Sequence, residues 1–162
     1  MLNLRIKDYL TSIFIVCLIS IIIAYFIEFI LGHQPCNLCL IERVPYGLGI
    51  ILIILNHFLQ KNEKFIILLL IIVFSFSFMV SFYHFGIEQN FFEESAVCGI
   101  QSTSEIVSKE KLLEQLQTKT TSCKDVTFRI FGFSLTTLNI ILSLILIIFL
   151  VNIFNNYDKF KK

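Results

Sequence analysis

Four long apolar runs, separated by polar breaks, set the pattern of this chain. The first, Ser12 to Leu31, is broken only by Ser20, Tyr25 and Glu28. At about 1.5 Å per helical residue it covers roughly the 30 Å of a bilayer's hydrocarbon core. Further runs occupy about 44–59, 65–83 and 133–154. Gln60 to Lys64 is a polar break too short for anything but an antiparallel helical hairpin. The expected fold is therefore all-α: one integral-membrane domain, 1–162, a bundle of four transmembrane helices with loops at about 32–43 and 86–131.

Details of the runs refine this picture. Arg5 and Lys7 precede the first run as they would a secretory signal, but the run exceeds the roughly 7 to 15 residues of such a segment, and it reads as an uncleaved span. The second run is short for a crossing, which predicts a helix beginning before Val44, with Glu42 and Arg43 in its first turn and Pro45 near the tolerated first position. Gly47 and Gly49 predict close approach of a neighbouring helix. In the long loop, 104–119 predicts a short amphipathic helix with Ile106, Leu112, Leu113 and Leu116 on one side.

Composition agrees with a membrane protein: 56% of the residues are hydrophobic, 15% are charged, and the mean hydropathy is +0.82. A net charge of +1 without a concentrated basic surface argues against nucleic acid as a partner. The distribution of charge says more. Both termini and the 60–64 turn carry seven basic residues (Arg5, Lys7, Lys61, Lys64, Lys159, Lys161, Lys162) against three acidic ones, whereas the opposite side, the two loops with Glu28 at the outer end of the first span, carries six basic and nine acidic residues. By the positive-inside rule the termini are expected to be cytoplasmic and the loops extracytoplasmic, periplasmic in a bacterial inner membrane.

That orientation decides how the five cysteines are read. Cys17 lies within a span and is expected to be an inert, small buried residue. Cys36, Cys39, Cys98 and Cys123 lie in the loops, in the compartment where disulfides form. A helix starting near Cys36 would bring the Cys36-Asn37-Leu38-Cys39 sulfurs onto one face and stabilise a thiolate by its dipole, with Arg43 one turn beyond Cys39 adding positive charge. Two rival readings rank behind redox exchange: a structural disulfide, because the loop that Cys36 and Cys39 would close is tiny and its flanking helices are already held by the bilayer, and a zinc site built from the four loop cysteines, because only one of the pairs is closely spaced. Two exchangeable pairs in one compartment suggest a relay through mixed disulfides. Glu28, Glu42, Arg43, His84 and Glu88 fall at the outer ends of spans, where snorkelling is the simplest account of Glu28 and Glu42.

Several segments together resemble the disulfide bond formation protein B family, the DsbB-type quinone reductases. They are Gln34-Pro35-Cys36-Asn37-Leu38-Cys39-Leu40-Ile41-Glu42-Arg43, Tyr83 to Gln89, Cys98, Cys123-Lys124-Asp125, and Phe131 to Leu135 with Asn139. The resemblance implies a four-helix membrane bundle with a short horizontal helix in its second loop. It implies that Cys39 contacts a membrane quinone, ubiquinone or menaquinone, and that Cys36 exchanges with the second loop. Cys98 would be attacked by a reduced periplasmic thioredoxin-like oxidase of the DsbA type, and Cys123 would pair transiently with Cys36. Arg43 would support the quinone, and His84 would lie near the same site. Among the residues themselves there is no haem, flavin or nucleotide motif to serve as acceptor, which leaves a lipid-soluble oxidant as the simplest one. The rival to this enzyme is a non-enzymatic membrane scaffold with structural disulfides or zinc.

Overall fold

The computed structural model describes residues 6–58, 62–93, 98, 123–124, 129–130 and 132–157. Helix α1 is Ile6–Phe29, α2 is Asn37–Phe58 and α3 is Glu63–Glu88. A small antiparallel hairpin follows, β1 (Arg129–Ile130) against β2 (Phe133–Ser134), and then α4 (Leu135–Asn155). The fold is all-α, and each of the four helices among the described residues is long and apolar enough to cross a membrane. The protein is a multi-pass membrane protein. The segment 104–119 lies outside the described residues.

The helix bounds depart from the apolar runs, and the departures have local causes. Residues 6–11 add more than a turn to α1, with Asp8 near its positive end. At the other end Gly32, at φ 74°, takes the left-handed conformation that lets the chain leave the helix. The start of α2 differs most from expectation. Cys36 itself is the N-cap: its Sγ accepts the Cys39 backbone N–H at 3.2 Å, and its carbonyl accepts Leu40 N–H at 3.2 Å. Pro45 thus lies inside the helix and not at its first position, buried where its missing N–H leaves the Ile41 carbonyl without the usual partner. Helix α3 continues to Glu88, which puts His84 and Glu88 one turn apart on a single face. Helix α4 begins at Leu135 because Ser134, still extended, caps it by accepting Thr137 N–H at 3.2 Å.

Packing orders the helices so that α3 lies against α2 and α4, while α1 lies against α2. The N-terminal parts of α1 and α3 meet the C-terminal part of α4 around an apolar core that includes Leu10, Ile13, Cys17, Ile67, Leu70, Phe74 and Leu150. Gly49 allows close approach here, since a Cβ on it would stand 3.2 Å from Phe74 Cζ and 3.5 Å from Cys17 Sγ. Gly47, expected to do the same, has nothing within 4 Å of such a Cβ. Outward-facing Ile22, Phe29, Ile51, Phe76 and Ile148 are exposed on the periphery, as lipid contact requires.

One polar stripe runs through this apolar bundle. Ser77, Ser81, His84 and Glu88 recur at alternating four- and three-residue steps on α3, and Thr136, Asn139 and Ser143 do so on the antiparallel α4. The two stripes pair along their length. Ser143 donates to Ser77 at 3.1 Å, Asn139 to Ser81 at 2.7 Å, and Thr136 to Glu88 at 2.6 Å. Small and polar residues at such an interface permit close helix contact and hold it where lipid supplies no hydrogen bonds. The stripe ends at the cysteines.

Candidate functional site

At the end of the bundle formed by the start of α2 and the end of α3, Cys36, Leu38, Ile87, Cys98 and Cys123 form a buried cluster, with Cys39, Ile41, Val80 and Tyr83 packed against it. Cys98 and Cys123 are joined by a disulfide, whereas Cys36 and Cys39 are free thiols. All four loop cysteines singled out in the sequence are therefore gathered in one place. With Cys98 and Cys123 bonded to each other, Cys36 and Cys39 are the two of these four that stand as thiols in this structure.

Cys36 is buried and Cys39 half-buried. The Cys36 sulfur is held from several directions: the Cys39 side chain and backbone N–H lie on one side, and His84 Nε2 stands 3.6 Å away on the other. Its thiol is lowered from 9.0 to about 5, first by the hydrogen bond from the Cys39 side chain and then by His84, with burial opposing both. These groups favour its thiolate over the neutral thiol. Of the two sulfurs, this one has the environment of a stabilised leaving group or nucleophile.

His84 is fixed by a second layer that the sequence reading largely missed. Its Nδ1 donates to Glu42 Oε1 at 2.8 Å, with Thr136 Oγ1 at 3.3 Å, which leaves Nε2 for the Cys36 sulfur. The other oxygen of Glu42 accepts Asn139 Nδ2 at 3.0 Å, and Tyr46 donates to the Asn139 carbonyl. Glu42 does not snorkel: it is 8% exposed and is the side chain around which α2, α3 and α4 are tied together. Glu88 approaches His84 Nε2 to 4.0 Å through Oε1, while its Oε2 is buried with no hydrogen-bond partner among the described residues. The signal that could have revealed this layer is the helical spacing of Ser81, His84, Thr136 and Asn139 within apolar runs, where a polar side chain needs a partner.

Arg43 turns the other way. It donates to Glu28 of α1 and lies over the Tyr25 ring, with Cζ 5.0 Å from the centroid. Glu28 thus has a partner and does not merely reach for water. Arg43 remains one turn along α2 from Cys39 and so shares its face, while His84 serves Cys36. Exposed Leu40 and Val44 flank these two residues on the lipid side of α2. A half-buried thiol, a cation and an apolar margin form a donor set that fits a flat, apolar ring bearing carbonyl oxygens.

A bundle of membrane-crossing helices with a thiol pair stacked on a disulfide at one end defines a membrane thiol–disulfide oxidoreductase. The family model "Disulfide bond formation protein DsbB" matches residues 7–153, and the chain belongs to that family. It is also 28% identical over 137 residues to an uncharacterised protein of Rickettsia prowazekii (strain Madrid E), covering 83% of this chain and 80% of the relative. No solved structure matches the chain.

Proposed function

We propose that this protein reoxidises a thioredoxin-like disulfide donor of the DsbA type and delivers the electrons to a membrane quinone, ubiquinone or menaquinone. The partner's thiolate attacks Cys98, the Cys98–Cys123 bond breaks, and the partner's second thiol displaces Cys98 to leave the partner with a disulfide. Cys123 attacks Cys36 of an oxidised Cys36–Cys39 pair, and Cys39 departs as the thiolate. Cys98 then displaces Cys36 from Cys123, restoring the loop disulfide and leaving Cys36 and Cys39 reduced. The quinone supplies the two-electron sink, taking two electrons and two protons as the Cys36–Cys39 bond is remade.

The supporting observation is the packing of the Cys98–Cys123 disulfide against Cys36, whose thiolate is stabilised. Cys39 would face the quinone, being the less buried sulfur and sharing its face of α2 with Arg43. Arg43, held in place by Glu28 and Tyr25, would keep positive charge beside the ring carbonyls. His84, fixed by Glu42, would steady Cys36 as it leaves. The charge distribution orients the cysteine end to the periplasm of a bacterial inner membrane, with both termini cytoplasmic.

Purified protein in detergent, given a reduced thioredoxin-like donor and either quinone, should bleach the quinone absorbance. Cys36→Ser and Cys39→Ser should each lower that rate by at least about 10³-fold, and Arg43→Ala should raise the KM for quinone about tenfold or more. Quinone reduction that persists in Cys39→Ser would rule out this route.

A further inference from the structure

The reduced pair and His84 form a constellation that redox exchange does not require. Cys36 Sγ, Cys39 Sγ and a His84 ring nitrogen all lie within 4.8 Å of one another, contributed by the first turn of α2 and the last turn of α3. In a tetrahedral zinc site, with Zn–S near 2.3 Å and Zn–N near 2.0–2.1 Å, the sulfur-to-nitrogen edge is about 3.6 Å. The Cys36 Sγ to His84 Nε2 distance is 3.6 Å. We propose that the reduced protein binds one thiophilic d10 divalent cation, Zn2+, through Cys36, Cys39 and His84, and that this site exists only while the pair is a dithiol.

Three independent features favour a cation here over a hydrogen-bonded cluster alone. His84 Nδ1 is committed to the Glu42 carboxylate at 2.8 Å, and Glu42 is in turn held by Asn139 at 3.0 Å. That carboxylate–histidine arrangement orients the ring and makes Nε2 the nitrogen that faces the sulfurs, where it can give up its proton and coordinate when a cation binds, as metal-bound histidines do. Charge also balances: two thiolates and a neutral imidazole around Zn2+ give a net charge of zero, which suits a site packed among Leu38, Ile87 and the loop disulfide. Finally, Glu88 offers a further oxygen beside the ring. Its Oε1 is 4.0 Å from Nε2, and its Oε2 is buried without a hydrogen-bond partner among the described residues. A buried acceptor left without a donor beside the site is compensated better by a nearby cation than by a neutral cluster.

Binding is a coordination step with no electron transfer. The two sulfurs bind as thiolates and His84 binds through Nε2, releasing whatever protons the thiols and that nitrogen still carry; two Zn–S bonds and one Zn–N bond form. Oxidation to the Cys36–Cys39 disulfide removes two of three protein ligands, so the ion must leave before the pair can be oxidised. Zn2+ would therefore hold the protein in its reduced state and slow its turnover. This regulatory consequence rests on the quinone-linked reading above, whereas the site itself does not.

The test uses full-length protein in detergent, reduced with a phosphine that is then removed. One variant carries Cys98→Ser and Cys123→Ser, so that the only loop thiols are those of the proposed site. Cobalt(II) serves as a coloured stand-in, and Zn2+ then competes for the same site. Reduced wild-type protein and the double variant should each take up one equivalent of cobalt with tetrahedral d–d bands and thiolate charge-transfer absorption, both erased by one equivalent of Zn2+. Diamide-oxidised protein should take up none. Cys36→Ser and Cys39→Ser should lose the charge-transfer band or weaken binding by more than about 100-fold, and Glu42→Gln should weaken it about 10- to 100-fold through His84.

Absence of the bands in the reduced double variant would overturn the site, as would equal uptake by oxidised and reduced wild-type protein. The second comparison involves no substitution, so a misfolded variant cannot mask the answer. Quinone turnover is read separately: a protein that binds cobalt but never reduces quinone would refute the proposed function and leave the metal site standing.

Discussion

Two buried cysteines mark the difference between the ends of this bundle. Cys17, fully buried, packs into the apolar core with Ile13, Tyr46 and Phe74, and its burial is achieved by shape. Cys36, nearly as buried at 5% exposure, is surrounded by an N–H, a second thiol and an imidazole tied to a carboxylate. Both sulfurs are shielded from water, but only the second has groups that favour its anion. Burial alone disfavours a thiolate, and reactivity is decided by what shares the buried space. One end of the molecule is held by apolar packing, and the other by hydrogen bonds that converge on a charge.

The largest effect expected from this contrast is in thiol reactivity. In chelator-containing buffer, site-resolved alkylation of the reduced protein should modify Cys36 at neutral pH at least about 10³ times faster than Cys17. The Cys36 rate should be flat above pH 6 and should fall about tenfold per unit once the pH is below the midpoint near 5. Cys39→Ala should raise that midpoint the most, because the Cys39 side chain is the leading cause of the shift, and His84→Ala should raise it less. The sign of the linked stability follows. A thiol lowered from 9.0 to about 5 stabilises the folded reduced protein fully above pH 9, and this contribution shrinks as pH falls and is gone below about 5. An unchanged midpoint in both variants would remove the contrast between the two cysteines.

Substitution at the other end should disturb stability and leave chemistry alone. Valine at Gly49 would force carbon against Phe74 and Cys17, where even a Cβ is at 3.2 Å and 3.5 Å. Overpacking of this kind costs about 1–3 kcal/mol. Gly49→Val should therefore lower the thermal midpoint in detergent while the folded fraction keeps the wild-type KM in the proposed quinone reaction. A changed KM with unchanged stability would show that the two ends are not separable.

Much of this division is visible in the sequence, but unequally. The four spans follow from run length, since apolar segments near the bilayer thickness have few alternatives. Cys36 and Cys39 were legible from spacing and surroundings, and their shared face followed from a helix starting at that point. The supporting residues were harder. Glu42 looks like an interfacial carboxylate until His84 and Asn139, 42 and 97 residues away, are seen to meet it. The helix register that brings them together is set by packing across three helices, which no local pattern reports. Pro45 misled for a related reason. Proline favours a first turn, yet capping by Cys36 and the polar contacts of Glu42 start the helix earlier and carry Pro45 into its interior.

The polar stripe that joins the two ends supplies the subtlest comparison. At its apolar end Ser143 donates to Ser77 at 3.1 Å, and both side chains are fully buried. Removing the Ser143 hydroxyl leaves Ser77 free to turn to a carbonyl one turn back on its own helix, so its hydrogen bond is exchanged and not lost. Interhelical hydrogen bonds in membrane bundles average about 0.6 kcal/mol, and Ser143→Ala should cost about that or less. At the site end Thr136 has no such substitute. Its hydroxyl gives Glu88 Oε1 a donor at 2.6 Å, and the neighbouring Oε2 already lacks one among the described residues. Thr136→Val would strand a buried carboxylate, at about 1–3 kcal/mol. Measured side by side by unfolding in mixed micelles, Thr136→Val should destabilise the protein severalfold more than Ser143→Ala. Equal costs would mean that the stripe is held by helix packing throughout, and that its hydrogen bonds do not become more important as it nears the cysteines.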